Sequence, residues 1–346
     1  MNLQKRVEAL AELGHLLRKV ANGESEEPTI GAAVELTLRA NPWFTASHVL
    51  YALGAWGESL REESLRRWLS AYEVGVVRPR TVAVVMAGNL PLVGMHDWLC
   101  VLLAGHRAVV KLSSNDAFLL PAVDEVLRRG GDADLFPSCR FADGPLRDFD
   151  AVIATGSNNS SRYFDYYFGR YPHIIRHNRG SAGVVEGDET RDELASLCDD
   201  VFLHFGLGCR SVSQIFVPRG YDFAPLVAVA RDRYGHFAEH HLFQSTYDYH
   251  RALLLMNGVP HVDAGFWLLR ETDSLFSPVS VLHYASYDDL RSVAATLATR
   301  RESLQCVSCR RPLPDVEGCV ALGQAQRPAL WDYADGVDTL QFLFNL

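Results

Sequence analysis

From residue 81 onward, short apolar runs rich in β-branched residues alternate with segments of helical periodicity, and that alternation leaves few architectures open. Thr81–Met86 reads TVAVVM, Ala108–Leu112 reads AVVKL and Ala151–Ala154 reads AVIA. The intervals between and after them carry helical patterns, the first running to Ala104, the next over Phe118–Arg129 and a third over Ser161–Arg170. Strand, crossover helix, strand is the signature of a parallel sheet with helices on both faces, and ligands of such sheets bind just past the carboxyl ends of the strands. After residue 180 the alternation restarts. Ser181–Glu186 and Gln214–Pro218 read as strands around a helix near Glu193–His204, and Ala252–Met256, His261–Leu269 and Val279–Tyr284 read as further strands before a helix over Tyr287–Arg301. Two α/β lobes are therefore expected, residues 1–182 and 183–319, with 320–346 returning to the first.

Composition narrows the class of protein. With 346 residues and 48% hydrophobic content, the chain can bury two cores without metal or disulfide staples. Its net charge of −9 offers no basic excess to displace counterions from a nucleic-acid backbone, so no nucleic-acid partner is expected. Leu3, Val7, Leu10, Leu13, Leu16, Leu17 and Val20 recur at helical spacing with charges between them, which predicts an amphipathic helix rather than a leader peptide. The polar Ala21–Pro28 stretch reads as the loop that follows it. The most apolar stretch, Leu92–Ala104, is too short for a membrane span and contains His96 and Asp97. Seven scattered cysteines, an odd number, suit reduced thiols in a cytoplasmic protein.

Four segments carry candidate chemistry. In FGLGCRS (residues 205–211), Gly206 and Gly208 strip side chains from the approach to Cys209, which would let an acyl group reach the sulfur and the Cys209 amide face a developing oxyanion. A tight turn with a small residue explains the same letters. In MAGNLP (86–91), Asn89 falls just past the first strand, where its amide could donate to an oxyanion or simply cap the next helix. Lys111 and Ser113 end the second strand and suit a ribose or phosphate, although a solvated strand end reads identically. Gly156 and Ser157, after the third strand, could receive a pyrophosphate at a helix N-terminus. Neither a GxGxxG fingerprint nor a GxxxxGK[ST] loop occurs.

In that order, with FSPV (276–279) following, these motifs resemble the aldehyde dehydrogenase superfamily. The segment FGLGCRSVS and the ending DYADGVDTLQFL resemble its LuxC-like acyl-CoA reductase branch, over most of the chain from about residue 80. The resemblance implies an aldehyde-dehydrogenase-like fold: a Rossmann-type parallel-sheet lobe for the nucleotide and an α/β catalytic lobe. It implies reduction of an acyl thioester, from coenzyme A or an acyl carrier protein, to an aldehyde. Cys209 matches the acylated nucleophile and Asn89 its oxyanion partner. Lys111 and Ser113 match the positions that hold the adenosine ribose, Gly156 and Ser157 the pyrophosphate turn, and Phe276 the phenylalanine near the nicotinamide. A homodimer stays open.

Three departures qualify the match. The stretch corresponding to the general-base glutamate segment is Arg176-His-Asn-Arg-Gly-Ser, without a carboxylate, which favours exchange of the acyl enzyme with a thiol over its hydrolysis. Ser274 stands where many relatives place a glutamate on the nicotinamide ribose. Ser114 replaces the glutamate common in NAD-preferring relatives; serine tolerates a 2′-phosphate, so NADPH is expected ahead of NADH. A shortened plan suggests loss in the N-terminal region and in the arm that braces subunits. His177 and His204 are weighed as proton donors and read as structural. Cys306-Val-Ser-Cys309 reads as a strand with buried thiols, the His236/His240/His241/His250 patch as a helix surface or tunnel wall, and the Tyr163–Phe168 aromatic run as core or subunit contact. The alternatives are an aldehyde-oxidising dehydrogenase, releasing acid or acyl-CoA, and a non-catalytic scaffold that keeps the nucleotide fold.

Overall fold

The computed structural model describes residues 3–73, 78–130, 135–156 and 158–346. The chain divides into two compact units, Met1–Asn178 with Ala329–Leu346, and Arg179–Pro328. The division expected at 182 falls at 178/179 because Gly180–Val184 is already a strand of the second unit's sheet, and the return comes at 329 rather than 320.

The first unit opens with four helices, α1 (Leu3–Ala21), α2 (Pro28–Ala40), α3 (Ala46–Ser59) and α4 (Glu62–Leu69). In α1 the buried Val7, Leu10, Leu13 and Leu17 form the predicted stripe. A Cβ on Gly14 would stand 2.7 Å from that of Leu60 and 3.1 Å from the Gly57 carbonyl, so α1 and α3 approach closely where side chains are missing. There follow β1 (Thr81–Val85), α5 (Met95–Ala104), β2 (Arg107–Lys111), α6 (Leu119–Arg129), β3 (Cys139–Phe141), β4 (Ala151–Thr155), α7 (Asn158–Phe168) and β5 (His173–Arg176). The five strands are parallel in the order β3-β2-β1-β4-β5, with Val84 of central β1 flanked by Val110 and Ile153. That is the doubly wound order, and its direction reverses between β1 and β4.

The second unit contains β6 (Gly180–Val184), α8 (Arg191–Phe202), β7 (Val212–Pro218), α9 (Ala224–Tyr234), α10 (His241–Met256), β8 (Val262–Asp263), β9 (Leu268–Glu271), β10 (Val281–Tyr287), α11 (Leu290–Thr299), β11 (Leu304–Cys309) and β12 (Cys319–Val320). Its sheet runs β12-β11-β6-β7-β10-β9-β8, parallel except for the β8–β9 pair. The strand expected over Ala252–Met256 is the last turn and a half of α10. Five consecutive apolar residues fit either structure, and here Phe243, Tyr247 and Leu254 bury one helical face while Leu255 and Met256 face solvent.

The chain then returns to the first unit and ends in α12 (Thr339–Phe344). Trp68 Nε1 donates to the Tyr333 hydroxyl at 2.7 Å, and Tyr72 donates to Asp338 at 2.8 Å. Carbonyls of Leu330 and Leu343 lie 2.8 Å from ring nitrogens of His96 and His106. The DYADGVDTLQFL segment is thus held by elements laid down far earlier in sequence. Among the described residues no helix is long and apolar enough to cross a membrane.

Candidate active site

Cys209 is the one solvent-exposed cysteine of seven, all thiols, and it lies in the turn before β7, at the amino end of the second sheet. A single 3-10 turn, Leu203–Gly206, delivers the chain to it from α8. Within that turn His204, Phe205 and Gly206 all have left-handed backbone, at φ 55°, 58° and 73°. For the two non-glycine residues this costs about 1–3 kcal/mol each, and such strain persists only where packing over-determines it. Here Phe205 is buried, with ring centroids of Phe237, His240 and Phe243 at 4.4, 4.5 and 5.6 Å. A narrow cavity of mixed lining, with Phe205, Phe243 and Trp267 alongside Ser213, Ser277 and Ser280, adjoins Gly206.

Hydrogen bonds fix the turn itself. The Ser181 hydroxyl donates to the Cys209 carbonyl at 2.9 Å, and the Gly208 amide donates to the Ser211 hydroxyl at 3.2 Å. Phe276 belongs to the same rim. Ser213, the second residue of β7, donates to the Leu275 carbonyl at 2.6 Å, and a Cβ on Gly180 would stand 3.3 Å from the Phe276 ring. The structure therefore gathers Cys209 and Phe276 at one end of one sheet, with Phe276 and Ser274 both exposed.

In the first unit the other candidates gather at the carboxyl end of the parallel sheet. Asn89 is exposed in the loop after β1. That loop packs directly on the one after β2, since a Cβ on Gly88 would stand 2.4 Å from the Ser113 hydroxyl. Asp116 ties the two together by accepting the Leu92 amide at 2.7 Å, where Leu92 itself is left-handed at φ 58°. Burial pushes the Asp116 carboxyl up to about 6, against the opposing pull of that amide. Ser113 accepts the Asn115 amide at 3.2 Å, and Ser114 is exposed. Lys111 Nζ donates to the carbonyls of Asp143 at 2.8 Å and Ala142 at 3.3 Å, so part of its donor capacity serves the loop after β3. Gly156 joins β4 to α7, and a Cβ there would stand 2.8 Å from Phe164 and 2.9 Å from Ser160. Ser157 lies outside the described residues.

Several residues set aside in sequence find structural employment. His204 is buried, and His177 Nδ1 lies 3.0 Å from the Ser161 hydroxyl. Cys306 and Cys309 are buried in β11, as read; burial pushes the Cys306 thiol up to about 11. His240 caps α10, its ring accepting the Phe243 amide. Phe164 and Phe168 of α7 pack inward with Phe149, whereas Tyr163, Tyr166 and Tyr167 are exposed. No group of three or more His, Cys, Asp or Glu suited to a metal occurs among the described residues. Arg176, at the head of the stretch lacking a general base, is buried in an ion pair with Asp97 and donates to Thr339 at 3.0 Å. Sequence reading missed that pair, whose partners lie 79 residues apart.

No protein-family model and no curated protein matches the sequence. Solved structures do match. Indole-3-acetaldehyde dehydrogenase AldA of Pseudomonas syringae, in complex with NAD+ and IAA, superposes with a TM-score of 0.65 at 12% identity, over 89% of this chain and 72% of that one. The NADP-dependent glyceraldehyde-3-phosphate dehydrogenase of Bacillus halodurans, complexed with NADP, gives 0.61 at 13% identity over 89% and 74%. Aldehyde dehydrogenase AldC of P. syringae, with NAD+ and octanal, gives 0.57 at 14% identity over 90% and 81%. The fold is aldehyde-dehydrogenase-like.

Proposed function

We propose that the chain is an NAD(P)H-dependent oxidoreductase that reduces an acyl thioester, such as an acyl-coenzyme A, to an aldehyde through a thioester on Cys209. The observation that carries this reading is the exposed Cys209 in a clamped, glycine-flanked turn behind a strained segment, on a fold shared with aldehyde dehydrogenases. In this reading the Cys209 thiolate attacks the acyl carbonyl. The Cys209 amide donates to the oxygen that becomes negative, and coenzyme A departs as its thiolate.

The first unit has residues that fit a nicotinamide dinucleotide. Its strand order reverses between β1 and β4, the loop after β1 presses on Ser113, and Gly156 stands where a side chain would collide with the first turns of α7. Lys111, Ser113 and Ser114 would hold the adenosine end and Gly156 the pyrophosphate. Bound there in reduced form, the group supplies the hydride that takes the acyl carbon to the aldehyde level. Ser114 favours NADPH over NADH.

Lack of a carboxylate in the 176–181 stretch supports thiol exchange over hydrolysis. The test is a panel of acyl-coenzyme A thioesters with NADPH, following cofactor oxidation and aldehyde formation together. Thioester-dependent aldehyde supports the proposal; carboxylic acid formed from an aldehyde without added coenzyme A would replace it with the oxidative reading.

A further inference from the structure

The Cys209 turn hangs on a chain of contacts that begins at a buried carboxylate. Asp200, in the last turn of α8, is fully buried and accepts the Gly323 amide at 2.7 Å, the Ala325 amide at 3.0 Å and the Ser308 hydroxyl. Those bonds pin the segment after β12 and so place Gln326. Its Nε2 donates to the Ser211 hydroxyl at 3.1 Å. Ser211 in turn holds Gly208 from both sides: the hydroxyl accepts the Gly208 amide at 3.2 Å, and the Ser211 amide donates to the Gly208 carbonyl at 3.0 Å.

The second of these bonds matters for chemistry. The Gly208 carbonyl and the Cys209 amide belong to one planar trans peptide, so fixing the carbonyl fixes the direction in which the Cys209 N–H points. Gly208 has no side chain of its own to restrict it. We infer that Gln326 and Ser211 are positioning residues: through Gly208 they set the aim of the Cys209 amide and, with Ser181 on the Cys209 carbonyl, the presentation of the thiol. The inference rests on the reading of Cys209 as the acylated nucleophile. Gln326 touches neither substrate nor cofactor in this account; it acts by ordering the Ser211 hydroxyl, which is buried and would otherwise be held by the Gly208 amide alone of these two bonds. Misaiming a donor by a fraction of an ångström to an ångström costs up to about 10²-fold in rate.

The experiment compares wild type, Gln326→Met, Gln326→Glu and Cys209→Ala, using octanoyl-coenzyme A without cofactor and intact mass with peptide mapping to time acyl transfer. Gln326→Met keeps the shape of the side chain and removes its donor. Its maximal acylation rate should fall about tenfold or more, with half-saturating thioester concentration and thermal midpoint near wild type. Gln326→Glu, which can accept from the Ser211 hydroxyl and so order it again, should recover most of the rate. Acylation of Cys209 at the wild-type rate in Gln326→Met overturns the inference alone, as does a loss matched by a proportional loss of folded protein in both Gln326 variants. If wild type takes up no acyl group, or Cys209→Ala takes up as much, the nucleophile reading fails and the inference falls with it.

Discussion

Asp116 shows how one residue couples the stability of the first unit to its candidate site. Its carboxyl holds Leu92 in a left-handed conformation and so shapes the loop bearing Asn89, at the expense of burying an ionisable group. Because its folded value is raised to about 6 from 3.8, the folded state prefers the protonated form. The associated stability is fully present below about pH 4 and is lost as pH rises through about 6, a change of about 3 kcal/mol. Asp116→Asn, which keeps an acceptor for Leu92 without the charge, should therefore unfold at higher denaturant than wild type at pH 7.5 and match it near pH 4. Equal pH dependence in the two proteins would refute this. Ser114 carries the other prediction at this scale. Ser114→Glu would set a carboxylate against a 2′-phosphate, and the ratio of kcat/KM for NADPH over NADH should drop by about tenfold or more; an unchanged ratio would remove Ser114 from the cofactor argument. Cys209, Asn89 and the other motif residues were legible in sequence because glycines and strand ends mark them locally. Ser181 and Gln326 were not, since each meets the Cys209 turn only through folding, and Ser211, inside the quoted segment, shows its role only once Gln326 reaches it.

Among elements, legibility follows length and composition. Strands β1, β2 and β4 have five residues each, with a buried apolar centre rich in Val and Ile, and the sequence picks out all three. Strands β3, β5, β8 and β12 have between two and four residues, too few for a periodic signal, and only their neighbours make them strands. The end of α10 misleads for the opposite reason, an apolar run that a helix can also accommodate. The C-terminal segment is a third case: its letters drew the family resemblance, while its contacts tie β5, α5 and α12 together through Asp97, Arg176 and Thr339. Both charges of that pair are buried, so removing one leaves the other uncompensated. Asp97→Ala should cost about 3–5 kcal/mol in denaturant unfolding, and replacing both partners by apolar residues should cost markedly less. A single-variant loss below about 1 kcal/mol would mean that the pair does not lock these elements.

At the scale of the whole molecule, the chain divides into two units, each around its own sheet, with β6 as the second unit's first strand. A net charge of −9 gives anionic thioesters and dinucleotides no general attraction, so the proposed function requires local donors, for which Lys111, the serines after β2 and the turn at Gly156 are the candidates. The fold alone is compatible with oxidation or reduction of aldehydes. What separates the proposal from a hydrolytic dehydrogenase and from a non-catalytic scaffold is whether Cys209 becomes an acyl thioester on exposure to an acyl-coenzyme A and gives up that group as aldehyde to NADPH. The most direct measurement is intact mass, with peptide mapping, of wild type and Cys209→Ala after incubation with octanoyl-coenzyme A, followed by NADPH. One acyl adduct is expected on Cys209, with its discharge as aldehyde when NADPH is added, and none on the variant, which still binds NADPH. An adduct that forms equally on Cys209→Ala, or a wild-type protein that turns over with no acyl group ever on Cys209, would contradict the proposal.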